Sequence, residues 1–258
     1  MKAVTRRTVL AGMAVLAPLP SLRLSRASSD LGGLKVMTEE YPPYNYQVGG
    51  ELMGLSVEIM EEIFNRTASG HSRSDISLLP WARGYNLTLQ RSGHALFSTT
   101  RTPDRESLFK WVGPFVPTVV GLIAKKSRNL KIQTVQDLAD LRIGVVKDDI
   151  GQLLLQANGV PDDRIEAVLS NDQNFRKLIA GRVDAISYET RVTRWALQTR
   201  DVALDEYETV YELDRGELYL VLHHKTPDDL VDLLQSVFDT MVDDGTHAQI
   251  LQRYGIES

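Results

Sequence analysis

The feature that most limits this chain is an order of elements rather than any single motif. Short apolar runs that read as strands alternate with amphipathic stretches that read as helices, and a β-α-β-α-β order occurs twice. In the first cycle the strands are Leu34-Lys-Val-Met37, Ile76-Ser-Leu-Leu79 and Ala95 to Ser98. The stretch Leu55 to Arg66 places Leu55, Ile59, Met60, Ile63 and Phe64 at helical spacing, with Glu58, Glu61 and Glu62 opposite. Pro80-Trp-Ala-Arg83 opens a second helix that runs to about Arg91. In the second cycle the strands are Arg142 to Val146, Ile165 to Leu169 and Val183 to Ser187. One helix follows Lys147 to Gln152 and ends near Asn158-Gly159; the next starts at Asn171 or Asp172 and ends at Gly181. Parallel strands need crossover connections, and crossover helices cover the sheet faces. Two such cycles without a sequence repeat predict two similar α/β lobes.

Between the cycles Val112 to Ala124 is a long extended stretch broken by Pro114 and Pro117, which reads as a strand leaving one sheet and entering another. Tyr207 to Tyr211 and Glu217 to His223 read as further strands, with Asp214-Arg-Gly216 as the break between them. Thr226-Pro-Asp-Asp229 opens a long helix from Leu230 to Val242, and Thr246 to Tyr254 forms a short terminal one.

The first residues describe an address rather than a fold. Thr5-Arg-Arg-Thr-Val-Leu10, an apolar Ala-rich run to Leu19 and Pro20 read as an export signal, and the paired Arg6-Arg7 resembles the twin-arginine type. The apolar run is shorter than the roughly 20 residues a bilayer span requires. Cleavage is expected after Ser25-Arg-Ala27. Residues 1–27 carry five basic residues and no acids, so the mature chain has 24 basic against 34 acidic residues, about −10 net. That charge disfavours nucleic acid and anionic membrane surfaces. The chain has no Cys, which excludes disulfides, thiol catalysis, Cys-based metal sites and lipid attachment to an N-terminal Cys. A periplasmic, unlipidated protein is the expectation.

Two stretches carry the chemistry. Ser98-Thr-Thr-Arg-Thr-Pro-Asp-Arg105 follows a strand and packs hydroxyls and two Arg into eight residues. The Arg fork matches a carboxylate, while Thr102 and Pro103 read as the cap and first position of a helix that positions Arg105. Thr38 to Tyr46 holds three tyrosines, two glutamates and two prolines on a loop after the first strand, where ligands gather in open α/β sheets. Glu39 and Glu40 read there as solvated acids. His223-His224 lie on opposite faces if both belong to one strand, so no metal site is expected. The Asp pairs at 148–149, 162–163, 228–229 and 243–244 read mainly as caps and turns.

The order of Gly54-Leu-Ser-Val-Glu58, Thr100-Arg-Thr-Pro-Asp-Arg105, Trp111-Val-Gly-Pro-Phe115, Thr134-Val-Gln-Asp-Leu138, Arg142-Ile-Gly-Val145, Gly181-Arg-Val-Asp-Ala185 and Asp244-Gly-Thr246 through Tyr254-Gly255 resembles the periplasmic solute-binding proteins of ABC transporters for polar amino acids, family 3. The resemblance implies a two-lobed type II periplasmic binding protein fold, each lobe a mostly parallel sheet flanked by helices, joined by two crossing strands. Residues 28–117 would open lobe 1, 118–214 form lobe 2 and 215–258 return to lobe 1. Carried over by motif, Arg105 and Thr100 grip an acid group, with Ser98 on the same loop. Tyr41 and Trp81 pack on the solute body, and Glu189 holds a cationic group. The family's Gly-Ser-Thr-like turn is replaced by Asp148-Asp149-Ile150-Gly151; either acid, Asp148 or Asp149, facing the cleft would repel a carboxylate and favour a cationic solute. Arg83 and Arg101 are further candidates for charge in the cleft.

The implied partners are a small polar, amino-acid-like solute and an inner-membrane ABC permease, with a monomeric chain and no cofactor or metal. Two other readings stay open. One is an enzyme on the same fold, a cyclohexadienyl or arogenate dehydratase-like protein with Glu189 as general acid, though no nucleophile–base pair is visible. The other is a sensor that reports its ligand to a separate membrane receptor.

Overall fold

The computed structural model describes residues 31, 33–200 and 202–256; the expected export signal lies outside the described residues. Eight strands form one mixed sheet. On one side β1 (Lys35–Thr38) lies between β4 (Ser77–Leu78) and β5 (His94–Thr100), all parallel. On the other, β7 (Ile143–Val146) lies between β8 (Ile165–Val168) and β9 (Ala185–Glu189), again parallel. Two 17-residue strands, β6 (Phe109–Lys125) and β10 (Tyr207–His223), run antiparallel between the two groups and belong to both halves. A separate hairpin, β2 (Tyr46–Val48) with β3 (Glu51–Met53), turns on Gly49-Gly50, both at positive φ as a tight two-residue turn demands.

The expected break at Asp214-Arg-Gly216 does not occur. These residues stay paired with Val120, Val119 and Thr118, and the irregularity is absorbed by register shifts at Thr209/Tyr211, Glu212/Asp214 and Leu218/Leu220. A bulge adds a residue without ending the ladder, so β10 runs on through Gly216, which is itself paired in register with Thr118. Opposite the last shift the Gly113 peptide leaves the ladder. Its N–H donates to Gln235 Oε1 at 2.9 Å and its carbonyl accepts from Gln235 Nε2 at 3.1 Å, so a side chain supplies what the sheet does not.

Helices cover both faces. In the first half, α1 (Leu55–Thr67) buries Leu55, Ile59, Met60, Ile63 and Phe64, the face its spacing predicts. It opens at Gly54, φ 121°, where a Cβ would collide with the Tyr44 carbonyl. The closing helix α7 begins two residues before the expected Leu230. Pro227 caps it and Asp228 and Asp229 complement the dipole in its first turn (Asp228–Asp243). Leu234, Phe238 and Met241 are its buried stripe, each contributing about 1.5–3 kcal/mol by leaving water. His224 falls in the turn after β10, so strand alternation no longer separates it from His223; the two rings pack at 4.3 Å. Among the described residues no group of His, Asp and Glu is arranged to hold a metal ion.

Candidate functional site

The loop after β1 and the helices α2 (Trp81–Gln90) and α3 (Pro103–Glu106) come from one half. Facing them are the starts of α4 (Ile150–Ala157), α5 (Asn171–Ile179) and α6 (Thr190–Gln198). Arg105 sits on the single turn of α3, which Thr102 opens in an extended conformation with Pro103 at the first position. The Thr102 hydroxyl is buried without a partner, so the cap works through backbone geometry rather than through the side chain. Arg105 is 2% exposed, with its guanidinium 5.2 Å from both the Trp81 and Tyr85 rings. It donates to the Thr100 carbonyl at 3.2 Å and, across the seam, to the Asp148 carbonyl at 3.4 Å. Its Nε has no acceptor among the described residues, and no salt bridge joins it. A buried guanidinium so poorly supplied is costly in an ordinary core.

The two acids of the 148–149 pair part company. Asp148 takes a left-handed backbone, φ 60°, that turns its side chain to solvent and its carbonyl to the seam, where Trp81 Nε1 donates at 3.0 Å. Asp149 is buried as the N-cap of α4; Oδ1 accepts from the Ile150 N–H at 2.7 Å, while Oδ2 has no partner. Burial holds its carboxyl above the usual range, against the pull of Arg105 and the Ile150 N–H. Gly151 permits this placement, since a Cβ there would lie 2.5 Å from the Ser187 carbonyl of β9.

Glu189 is fully buried and already committed. Oε2 accepts from the Val192 N–H at 2.7 Å, capping α6, and Oε1 accepts from the Tyr44 hydroxyl at 3.1 Å across the seam. Arg191 donates to the same Tyr44 oxygen at 3.3 Å and to the Pro117 carbonyl at 2.7 Å, next to the crossing strand. Burial raises the Glu189 carboxyl, opposed by those donors. Tyr41 is buried with its ring 5.5 Å from Tyr44 and 5.5 Å from Tyr188, in the field of Glu189, Asp149 and Glu39. Ser98, at φ 62°, turns its hydroxyl onto Asn45 Oδ1, and Asn45 Nδ2 donates to the Glu39 carbonyl at 2.6 Å. Non-Gly residues in this region carry strain, and both Ser98 and Asp148 lie on the seam. Arg83 is exposed, and Arg101 is exposed and paired with Glu106, so neither adds charge to the seam.

The residue missed by sequence reasoning is Glu39. Expected in solvent, it is 7% exposed, and the hydrogen bond it takes part in is to its backbone carbonyl, which leaves its carboxylate bordering a cavity without a donor among the described residues. The Asn45 bond to its carbonyl folds the Pro42-Pro43 loop back over the strand end and turns Glu39 inward, whereas Glu40 stays exposed. Burial, then the neighbouring charge of Asp149, pushes Glu39 well above the ordinary range, with Arg105 opposing. Glu39 lines a cavity of about 430 Å³ whose walls come from both halves. Of the seven residues expected at the site, Trp81 alone borders that cavity; Arg105, Thr100, Asp149, Glu189, Tyr41 and Ser98 pack in the seam beyond it. Hollows of about 630 and 770 Å³ elsewhere are each walled by one half.

Among the described residues no helix is long and apolar enough to cross a membrane. No curated protein sequence matches the chain. Solved structures do. A histidine kinase sensor domain with similarity to periplasmic binding proteins is 14% identical, TM-score 0.73, over 86% of this chain and 97% of that one. An ancestral arginine-binding protein bound to arginine is 22% identical, TM-score 0.71, over 85% and 96%. An ABC uptake transporter substrate-binding protein from Streptococcus pneumoniae with bound histidine is 16% identical, TM-score 0.73, over 87% and 93%. At these identities the likeness is one of fold, the two-lobed type II periplasmic binding protein fold that the family resemblance implied. The family described as bacterial extracellular solute-binding proteins, family 3, matches residues 34–257, nearly the whole described chain. This chain is therefore a member of the family 3 extracellular solute-binding proteins.

Proposed function

We propose that the protein captures a small polar solute, an amino acid or a related amine or carboxylate, between its two lobes and delivers it to an ABC permease. Residues 28–117 and 215–258 form one lobe in this reading and 118–214 the other. The observation that carries it is the concentration of unsatisfied, buried charge in the seam: Arg105 Nε and Asp149 Oδ2 lack partners, and the Glu39 carboxylate lacks a donor. A structural core pairs such groups; a binding site leaves them for a ligand. For a solute that carries an acid group, Arg105 with Thr100 meets it; Asp149 and Glu189 supply the negative field for a cationic group, and Tyr41 and Trp81 flank the body, with Ser98 holding the Tyr41 loop. The bound amino acids of two structural neighbours, arginine in one and histidine in the other, support this class of solute.

The test is thermal-shift screening of residues 28–258 against amino acids, amines and small carboxylates, followed by calorimetry on the best hit. One-to-one binding is expected, and for any hit bearing a carboxylate Arg105→Ala should weaken it at least tenfold. If nothing in the panel binds, the reading fails; turnover of prephenate or arogenate would replace it with a dehydratase. The histidine kinase sensor neighbour supports a second destination for the same capture step, a signalling partner instead of a permease.

A further inference from the structure

The cavity between the halves offers a ligand a specific chemistry. Its walls are mostly apolar, with Leu78, Leu79, Trp81, Phe175 and Trp195 among them. The ionisable residues that border it are Glu39, Glu40, Asp172 and Arg200. Arg200 is not free to meet a ligand's acid. It donates to Asp172 at 3.0 Å and to the Ala196 carbonyl at 2.7 Å, and its guanidinium lies 5.1 Å from the Phe175 ring. The α5 N-terminus also faces the cavity, but Ser170 Oγ accepts from the Gln173 N–H there and Asp172 occupies the first turn. Arg105 stacks on Trp81 and does not border the cavity, its fork turned to the Thr100 and Asp148 carbonyls.

What remains for a ligand is a set of acceptors: the Glu39 carboxylate, 7% exposed and without a hydrogen-bond donor among the described residues, the Glu40 carboxylate, and Asn171 Oδ1, which likewise has no partner. A buried carboxylate without a hydrogen-bond donor is costly until a cation or a proton meets it, and here the pull of Arg105 is opposed by the neighbouring charge of Asp149. An acid group on the ligand would bring a second negative charge into the same enclosure. The volume, about 430 Å³, lies within the range of small-molecule sites, about 300–1,000 Å³.

Resting on the solute-capture reading above, we infer that the solute is an organic ammonium ion with an apolar body and no acid group, its nitrogen against Glu39 and its hydrocarbon among Leu78, Leu79, Trp81, Phe175 and Trp195. Shape and charge divide the work: the aromatic walls take the body, and Glu39 selects the sign.

Three probes with nearly the same body separate the terms: 2-phenylethylamine, L-phenylalanine and 3-phenylpropionate, with L-arginine as a cation whose body is polar. Calorimetry on residues 28–258 should rank the amine at least tenfold tighter than phenylalanine, with phenylpropionate and arginine weaker still. Glu39→Gln keeps the side-chain shape and should cost the amine at least tenfold. Thermal melting of that variant without ligand, expected at or above the parent's, shows that the loss is not misfolding. Equal or tighter binding of phenylalanine, phenylpropionate or arginine overturns the inference and leaves solute capture standing. An amine affinity unchanged by Glu39→Gln does the same. Failure of every amino acid, amine and carboxylate to bind overturns both.

Discussion

Glu39 couples the stability of the fold to pH, and in the reading proposed above it also sets the selectivity of the site. Its carboxyl titrates near 4.3 in the unfolded chain and well above the ordinary range when folded, chiefly through burial, with Asp149 adding and Arg105 opposing. Because the folded state holds the proton more tightly, its stability is full below about pH 4.3 and declines as pH rises through the folded value. Glu39→Gln removes that decline, so at pH 7 the variant should melt higher than the parent, with the gap closing towards pH 4. Melting curves across that range check it; a variant that melts lower at pH 7 refutes it. Arg105 acts with the opposite sign. Arg105→Ala leaves Glu39 and Asp149 buried without a facing cation and should cost roughly 3–5 kcal/mol in urea denaturation. In a Glu39→Gln background the same change should cost less, since fewer buried charges are then abandoned.

Elements place these residues through close backbone approach. The start of α4 touches β9 at Gly151, where a Cβ would lie 2.5 Å from the Ser187 carbonyl, and this approach sets Asp149 in the seam. Gly151→Ala should therefore lower stability by about 1–3 kcal/mol, as overpacking against backbone does. It should also weaken solute binding, because Asp149 moves with the helix. Denaturant midpoints and calorimetry read the two effects separately. The α6 start behaves differently: Glu189 caps its own helix through the Val192 N–H and meets Tyr44 across the seam, so it ties an element to the opposite half. Glu189→Ala should accordingly lower stability by about 1 kcal/mol or more as a lost N-cap, whatever it does to binding.

At the scale of the whole molecule the two halves meet through few polar contacts, and these come from the loops that carry the site. Trp81 Nε1 to the Asp148 carbonyl, Tyr44 to Glu189, and the Tyr46–Trp195 rings at 5.3 Å span the seam. Trp81→Phe keeps an aromatic ring but removes the indole N–H, and with it one cross-seam bond worth about 0.5–1.5 kcal/mol. The affinity for the best solute should fall about two- to tenfold by calorimetry, while the unfolding midpoint changes little. Unchanged affinity would mean that this bond takes no part in holding the halves together around the solute.

The chain by itself determined the architecture and the address of the chemistry. Strand and helix periods are local, 2.0 and 3.6 residues, so Leu55 to Phe64 or Leu230 to Met241 can be read without knowing their neighbours. Arg105 and Asp149 stand out in the sequence only as charged residues after a strand and at a helix start; their expected roles came from the family resemblance, since no local period says what a side chain faces. The tertiary structure decided everything that depends on which group faces which. It kept β10 in one piece where Gly216 suggested a break, because the partner strand β6 continues past it. It turned Asp148 outward and Asp149 inward, a choice made by a single left-handed backbone. It also buried Glu39 while leaving Glu40 in water. Two adjacent glutamates are chemically alike in sequence; the Asn45 bond that folds the loop back, and the walls that the opposite half adds to the cavity, distinguish them only in the folded chain.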